Sequence, residues 1–441
     1  MGIPLYLKIF FIILVQVLLV KAEENKDKDK KPVRYQPEQV HLAYGKDATE
    51  MVVTWSTMDK VGRATVIFGK TEPTATVLGN SKLFVDGGKK KRSQYIHRVK
   101  LTGLEPATKY VYICGSHDGW SDQFWFRTAN DSIFWSPVVA VLGDMGNKNA
   151  RSLPFLQLEA QTGSIDAVIH VGDLAYDMDT DNGKFGDEFM RQIEPIAAHV
   201  PYMVCPGNHE EAYNFSHYRE RFTMPGDSEN LFYSFNLGPA HFLSFTSEAY
   251  YFLNYGFQTV LNQFNWIKQD LKEADSAKER TERPWIVAYG HRPMYYSNYY
   301  PDDEEMTTQR VRVGIPGFEW LGLEKVFYDA RVDLELYGHQ HSYERMFPLY
   351  DFAVKNGSVS QPYVNPKAPV HITTGSAGCE EGLVNFTTIV KPWSAFRNLD
   401  YGFAKLHFVN HSHLHVQQLS VDQEGKVIDD IWIVKDGIRS Y

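Results

Sequence analysis

The chain has 441 residues, more than one average domain holds, so two domains are expected. Hydrophobic residues make up 43%, enough for a large buried core, and a net charge of -9 advertises no basic surface for nucleic acid. Cys114, Cys205 and Cys379 are too few for a disulfide-built fold: one pair is possible, and one thiol must be left over.

The chain opens with "MGIPLYLKIFFIILVQVLLVKA". Lys8 precedes an apolar run from Ile9 to Val20, and Val20-Lys21-Ala22 offers the small residues a signal peptidase reads. Residues 1–22 are therefore expected to be a cleaved secretory signal; the run is short for a membrane anchor. Residues 23–34 read as a charged, solvated linker. No later segment is apolar enough for a stable membrane span, so a secreted, extracellular or lysosomal destination is expected. N-x-[ST] sequons at Asn130, Asn214, Asn356, Asn385 and Asn410 agree with that route.

From 35 to 130 the sequence alternates in short strands: "EMVVTWST", "RATVIFG", "SKLFVDG", "YIHRVKLTGL", "KYVYICG" and "QFWFRT". Gly, Pro, Asp and Asn punctuate them, as in a β-sandwich. "LTGLEPATKYVYICG" resembles the corner of a fibronectin type III domain, with Tyr110 or Tyr112 as the buried aromatic. No His, Asp or Glu cluster converges here, which leaves a structural or interaction role.

From 135 to 441 the pattern changes. "PVVAVLGD", "DAVIHVGD", "PYMVCPGNHE", "WIVAYGH" and "VDLELYGHQH" are apolar strands. Helices are expected near 150–161, 186–198 and 318–328. Strands alternating with helices give an α/β core around buried sheets. Cys205, at the end of the third run, is expected to be a buried thiol, and no disulfide is expected in this domain.

Each of the five runs ends in ligand chemistry. They deliver Gly143-Asp144, Gly172-Asp173 with Tyr176, Gly207-Asn208-His209-Glu210, Gly290-His291, and Gly338-His339-Gln340-His341. Sites in α/β sheets form at the carboxyl ends of strands. A glycine before each polar residue would let the backbone turn sharply and approach closely. His-x-His on a strand would point both rings to one face. Singly, each piece reads as a turn, a cap or an ordinary polar residue. All five in order at strand ends are improbable by coincidence. Carboxylates, an amide oxygen and imidazoles suit hard or borderline cations, and no thiolate joins them. The donors are too many for one ion, so two ions bridged by an aspartate are expected.

"GDMG", "GDLAYD", "GNHE", "GHRP" and "GHQHSYER" resemble the five blocks of the metallophosphoesterases. Tyr176 in the second block narrows the resemblance to the purple acid phosphatases, in the long, plant-like form also found in animals. That resemblance covers nearly all of the chain after the signal. It implies an α/β sandwich of two mixed sheets flanked by helices, preceded by the all-β, fibronectin III-like domain. It implies Fe(III) held by Asp144, Asp173, Tyr176 and His341, and Fe(II), Zn(II) or Mn(II) held by Asp173, Asn208, His291 and His339. Tyr176 is expected one helical turn from Asp173, within reach of the same ion. The implied reaction is phosphate-monoester hydrolysis by direct attack of a metal-bound hydroxide at acidic pH. The site would keep about one positive charge to attract the substrate.

His209 is the candidate acid for the leaving alkoxide. The loop after the fourth block, "GHRPMYYSNYYPDDEE", has tyrosines where further histidines are frequent in the family, so Tyr295 to Tyr300 are expected to shape the pocket. Arg292 and Arg345 read as structural. Rival readings are a phosphodiesterase or nucleotide pyrophosphatase, which Tyr176 disfavours, and a secreted adhesion protein with a silent site. Monomer and homodimer both stay open.

Overall fold

A computed structural model describes residues 34–299 and 305–436. The expected signal, the linker up to residue 33 and Tyr300 lie outside these residues. Gln36 onward belongs to one compact unit. Among the described residues no helix is long and apolar enough to cross a membrane.

Nine strands build the N-terminal sandwich: β1 (Glu38–Tyr44), β2 (Met51–Thr57), β3 (Thr65–Gly69), β4 (Ala75–Leu78), β5 (Asn80–Val85), β6 (Ser93–Leu101), β7 (Lys109–Ser116), β8 (Gly119–Trp120) and β9 (Phe124–Arg127). One sheet has the order β1-β2-β6-β5; the other is β4-β3-β7-β8, with β9 also on β7. Val53, Trp55, Val66, Val99 and Phe126 fill the space between them. Tyr110 makes the corner: its hydroxyl accepts the Glu105 N–H at 3.0 Å. Tyr112 is also buried, but its hydroxyl donates out of the sandwich to the Ala198 carbonyl at 2.8 Å.

The second half holds two sheets. Strands β10 (Val138–Leu142), β11 (Ala167–Val171) and β12 (Tyr202–Cys205) run parallel, Val139 opposite Ala167 and Val168 opposite Tyr202. Strands β13 (Tyr233–Leu237), β14 (Ala240–Ser244), β15 (Trp285–Tyr289), β16 (Leu334–Tyr337), β17 (Tyr343–Met346), β20 (Val370–Thr374) and β21 (Ser394–Asn398) form a seven-stranded sheet. Between β17 and β20 lies a ribbon of β18 (Leu349–Tyr350) and β19 (Ala353–Val354). The C-terminal strands β22 (Gly402–Phe408), β23 (His413–Ser420) and β24 (Lys426–Val434) complete the first sheet in the order β12-β11-β10-β22-β23-β24.

The parallel strands are covered on both faces, which is why they read as continuous apolar runs. Along β15, Trp285, Val287 and Tyr289 enter the core shared with the first sheet. Ile286 and Ala288 face a second core, beneath the helix Phe257–Ala274. Phe408 of β22 meets the rings of Phe242 and Trp285 at 5.4 and 6.5 Å, joining the two sheets. The helices Leu153–Thr162 and Thr180–Ala197 pack on the first sheet's side through Leu156, Phe189 and Ile193. The helix expected near 318–328 is broken by Gly322 in extended backbone; only Glu324–Asp329 is α-helical.

The two halves meet through buried charge. Arg221, on the helix Ala212–Arg221, pairs with Asp187 at 2.8 Å. Asp187 also pairs with Arg92 of the sandwich, and His217 meets Asp86 of the sandwich at 2.9 Å. Arg345 grips Asp429 through Nε at 2.6 Å and a second nitrogen at 2.9 Å, tying the two sheets together well inside the fold. All three cysteines are free and buried.

Candidate metal centre

The loops after β10, β11, β12, β15 and β16 converge. The glycines before the polar residues serve close approach more than turning. Among the five, only Gly172 has a left-handed φ, at 87°. A Cβ there would lie 2.5 Å from Nδ1 of His291, and one on Gly338 would lie 2.5 Å from Oδ2 of Asp144. A Cβ on Gly207 would collide with the Asp173 carboxylate. The left-handed backbone falls instead on the functional residues themselves: Asp144 (φ 59°), Asp173 (49°), Tyr176 (59°) and His339 (67°). Strain of this kind collects at functional sites.

Two expectations of local geometry need correction. The His-x-His pair is not on a strand: β16 ends at Tyr337, and the bend at His339 sends the two rings to opposite halves of the site. Nor does a helical turn join Asp173 to Tyr176, because both residues are left-handed.

In one half, ligand-type atoms of Asp173, His291 and His339 lie within 4.8 Å of one another. Nε2 of His291 is 3.1 Å from Oδ2 of Asp173 and 3.2 Å from Oδ1 of Asn208. Its Nδ1–H donates to the Val171 carbonyl at 2.9 Å, which fixes the tautomer and aims Nε2 inward. In the other half, Oη of Tyr176 is 2.6 Å from Nε2 of His341 and 3.3 Å from Oδ1 of Asp144. His341 repeats the device, its Nδ1–H donating to the Gly382 carbonyl at 2.8 Å. Asp144 links the halves, because both its oxygens accept the His339 N–H, at 3.1 and 2.9 Å.

The electrostatics follow from burial opposed by pairing. Burial alone would raise Asp173, but His291, His209 and His339 outweigh it and hold the carboxyl well below its ordinary range. Burial would lower His291, but Asp173 lifts it to about 9. Burial would likewise lower His341, but Asp144 and Cys379 push it up to about 12. Tyr176 is raised well above an ordinary phenol, by burial first and then by Asp144 and Asp173. Buried carboxylates, inward imidazoles, an amide oxygen and a phenol form a donor set that fits hard or borderline cations. The nearby sulfur is not among them: Cys379 Sγ lies 3.6 Å from His341 Nδ1, the nitrogen turned away from the centre.

His209 stands at the rim. Its ring lies against that of Tyr176, 4.3 Å between centroids and tilted by 36°, and its backbone N–H donates to Oδ1 of Asp173 at 3.0 Å. Nδ1 is 2.9 Å from Asp177, and Nε2 is 3.7 Å from Glu381. Burial would lower its pKa, but the Asp177 hydrogen bond and the nearby carboxylates raise it to about 10.

Sequence reasoning gave Glu210 no role. Its buried carboxylate accepts the N–H groups of Asp173 (2.9 Å), Leu174 (2.9 Å) and Gly207 (2.8 Å), locking the second loop to the third. The only signal was its place in the "GNHE" run. Tyr295 was expected at the pocket but is buried, bonded to Glu324 beneath the sheet. Tyr299 is exposed, its N–H donating to the Asn385 carbonyl at 2.9 Å.

Three family profiles match this chain: the purple acid phosphatase N-terminal domain over residues 37–128, the calcineurin-like phosphoesterase over 137–343, and an iron/zinc purple acid phosphatase-like C-terminal segment over 368–430. Acid phosphatase type 7 of Danio rerio is 51% identical over 92% of this chain and 93% of its own. The Homo sapiens protein of that name is also 51% identical, with the same coverage. The chain belongs to the purple acid phosphatases. A purple acid phosphatase from yellow lupin seeds has a similar structure, with a TM-score of 0.76 and 26% identity, covering 91% of this chain and 75% of that one. The phosphatase is thus a phosphoric monoester hydrolase with the sandwich-plus-two-sheet architecture, and membership of the family implies a dinuclear metal centre.

Proposed function

We propose that this purple acid phosphatase is exported through the secretory pathway and hydrolyses phosphate monoesters at a pair of ions, Fe(III) and a divalent metal. Asp144, Asp173, Tyr176 and His341 would hold Fe(III). Asp173, Asn208, His291 and His339 would hold Fe(II), Zn(II) or Mn(II), with Asp173 as the bridge. The observation that carries this reading is the Tyr176 hydroxyl, 2.6 Å from His341 and 3.3 Å from Asp144. A phenol so deeply buried ionises only against a strong cation, and its phenolate is a hard ligand suited to Fe(III).

When bound, the ions supply Lewis acidity, which activates water and neutralises the phosphate. His291 and His341 present Nε2 because backbone carbonyls hold their Nδ1–H groups. Glu210 keeps the Asp173 and Asn208 loops in register. His209, held cationic by Asp177, would give its proton to the leaving alkoxide. Asn214, Asn385 and Asn410 are exposed and would carry glycans; Asn130 and Asn356 are half-buried.

The test is the visible spectrum of the secreted protein before and after mild reduction. A broad band that shifts on reduction and vanishes in Tyr176→Phe is expected. A colourless protein with full metal occupancy would sink the iron assignment.

A further inference from the structure

Arg292 follows His291, and its backbone N–H is fixed by the Ser247 hydroxyl at 3.0 Å. Its guanidinium is held from two sides. Nε donates to both oxygens of Glu248, at 3.1 and 3.0 Å, and Glu248 is fully buried. The ring of Tyr251 lies 4.5 Å from the guanidinium carbon. Nη1 donates to Nε2 of His339 at 3.0 Å. The side chain keeps 16% of its surface, so solvent and solutes reach it.

An imidazole bonded to a cation through one nitrogen carries its proton on the other. His339 then has no lone pair left for Nη1, whichever nitrogen takes the ion. Loading His339 therefore ends this hydrogen bond, while Glu248 and Tyr251 still pin the guanidinium beside it. A pinned guanidinium is a planar fork that matches a tetrahedral oxyanion. Next to a second cation it would also oppose ion loading, and the buried Glu248 carboxylate offsets that charge.

We propose that Arg292 is a substrate-binding residue of this phosphatase: once His339 holds its ion, the guanidinium grips the phosphoryl oxygens of the ester and then those of the phosphate product. This rests on His339 being an ion ligand. It replaces the purely structural role expected from sequence, which fits Arg345 instead.

The test uses the full-length, ion-loaded protein. Inorganic phosphate affinity is measured by calorimetry, kcat and KM with an aryl phosphate, and metal content by elemental analysis. For Arg292→Ala, the phosphate Kd and KM are expected to rise about tenfold to hundredfold, the range for hydrogen bonds to charged groups, with metal content unchanged. Arg292→Lys should recover part of the loss, since the charge returns without the fork. Unchanged phosphate affinity in metal-replete Arg292→Ala overturns the proposal. If that variant fails to fold or load, Arg292→Lys decides, and wild-type phosphate affinity there overturns it. A wild-type protein carrying both ions with no ion on His339, shown by full loading of His339→Ala, would defeat the parent reading instead.

Discussion

Tyr176 and His341 lie 165 residues apart in sequence and 2.6 Å apart in space, Oη to Nε2. The His341 Nδ1–H is committed to Gly382 and the Tyr176 hydroxyl donates to Oδ1 of Asp144 at 3.3 Å, so Oη and Nε2 each hold a proton on the side that faces Asp144. A cation entering there must displace both.

The stripped protein should therefore release protons as it reloads. His291 is raised to about 9 and His341 to about 12, and the Tyr176 phenol lies higher than usual, so all three are protonated at neutral pH. About three protons should leave per filled centre at pH 7, and affinity should fall as pH falls. Titration of the stripped protein with metal in weakly buffered solution, following pH, reads the number directly. Release near zero would contradict the assigned ligands.

Glu210→Ala should destabilise the protein by about 3–6 kcal/mol, because three buried N–H groups lose their acceptor. Glu210→Gln keeps an acceptor oxygen but turns an amide NH2 toward a donor, so about 1–3 kcal/mol is expected. Chemical denaturation measures both. Metal content should drop further in Ala than in Gln.

Glu335 gives the fold an acid-favouring stability. Burial pushes its carboxyl up to about 8, although Tyr337 donates to it at 2.6 Å. Between the ordinary glutamate value of 4.5 and about 8, the folded chain keeps a proton that the unfolded chain has lost. Its contribution is complete below about pH 4.5 and declines as pH rises through that window. Glu335→Gln preserves shape and neutrality, so urea unfolding from pH 5 to 8 should show a flatter profile, by about 2–4 kcal/mol. A variant with the wild-type slope would refute this.

Arg221→Met should cost about 3–5 kcal/mol, because it takes the buried guanidinium from Asp187 and leaves its carboxylate to Arg92 and the Gln94 amide. Adding Asp187→Leu should recover part of the loss, since a buried pair replaced by apolar residues is often near neutral. Thermal melts of the single and double variants test the coupling.

The strand ends, their five polar blocks and the sandwich were legible because burial on both faces leaves continuous apolar runs, and half-burial leaves alternating ones. The local shapes were not. Nothing in "GDLAYD" announces left-handed backbone at Asp173 and Tyr176, since that conformation is imposed by tertiary contacts. Glu210, Glu248 and the Cys379–Gly382 loop were invisible for a related reason. Apart from the Glu210 bond to Gly207, their roles consist of hydrogen bonds to segments tens of residues away, which no periodicity encodes.

The bond from the His339 N–H to Asp144 spans 195 residues. At about 5–20 residues per second, Asp144 leaves the ribosome on the order of 10–40 seconds before its partner. The strands that close the first sheet, β22 to β24, emerge later still. Until its last strands are made, a nascent chain therefore has no complete site to offer, and metal capture is a late step of maturation, governed by which ions the compartment of final folding supplies.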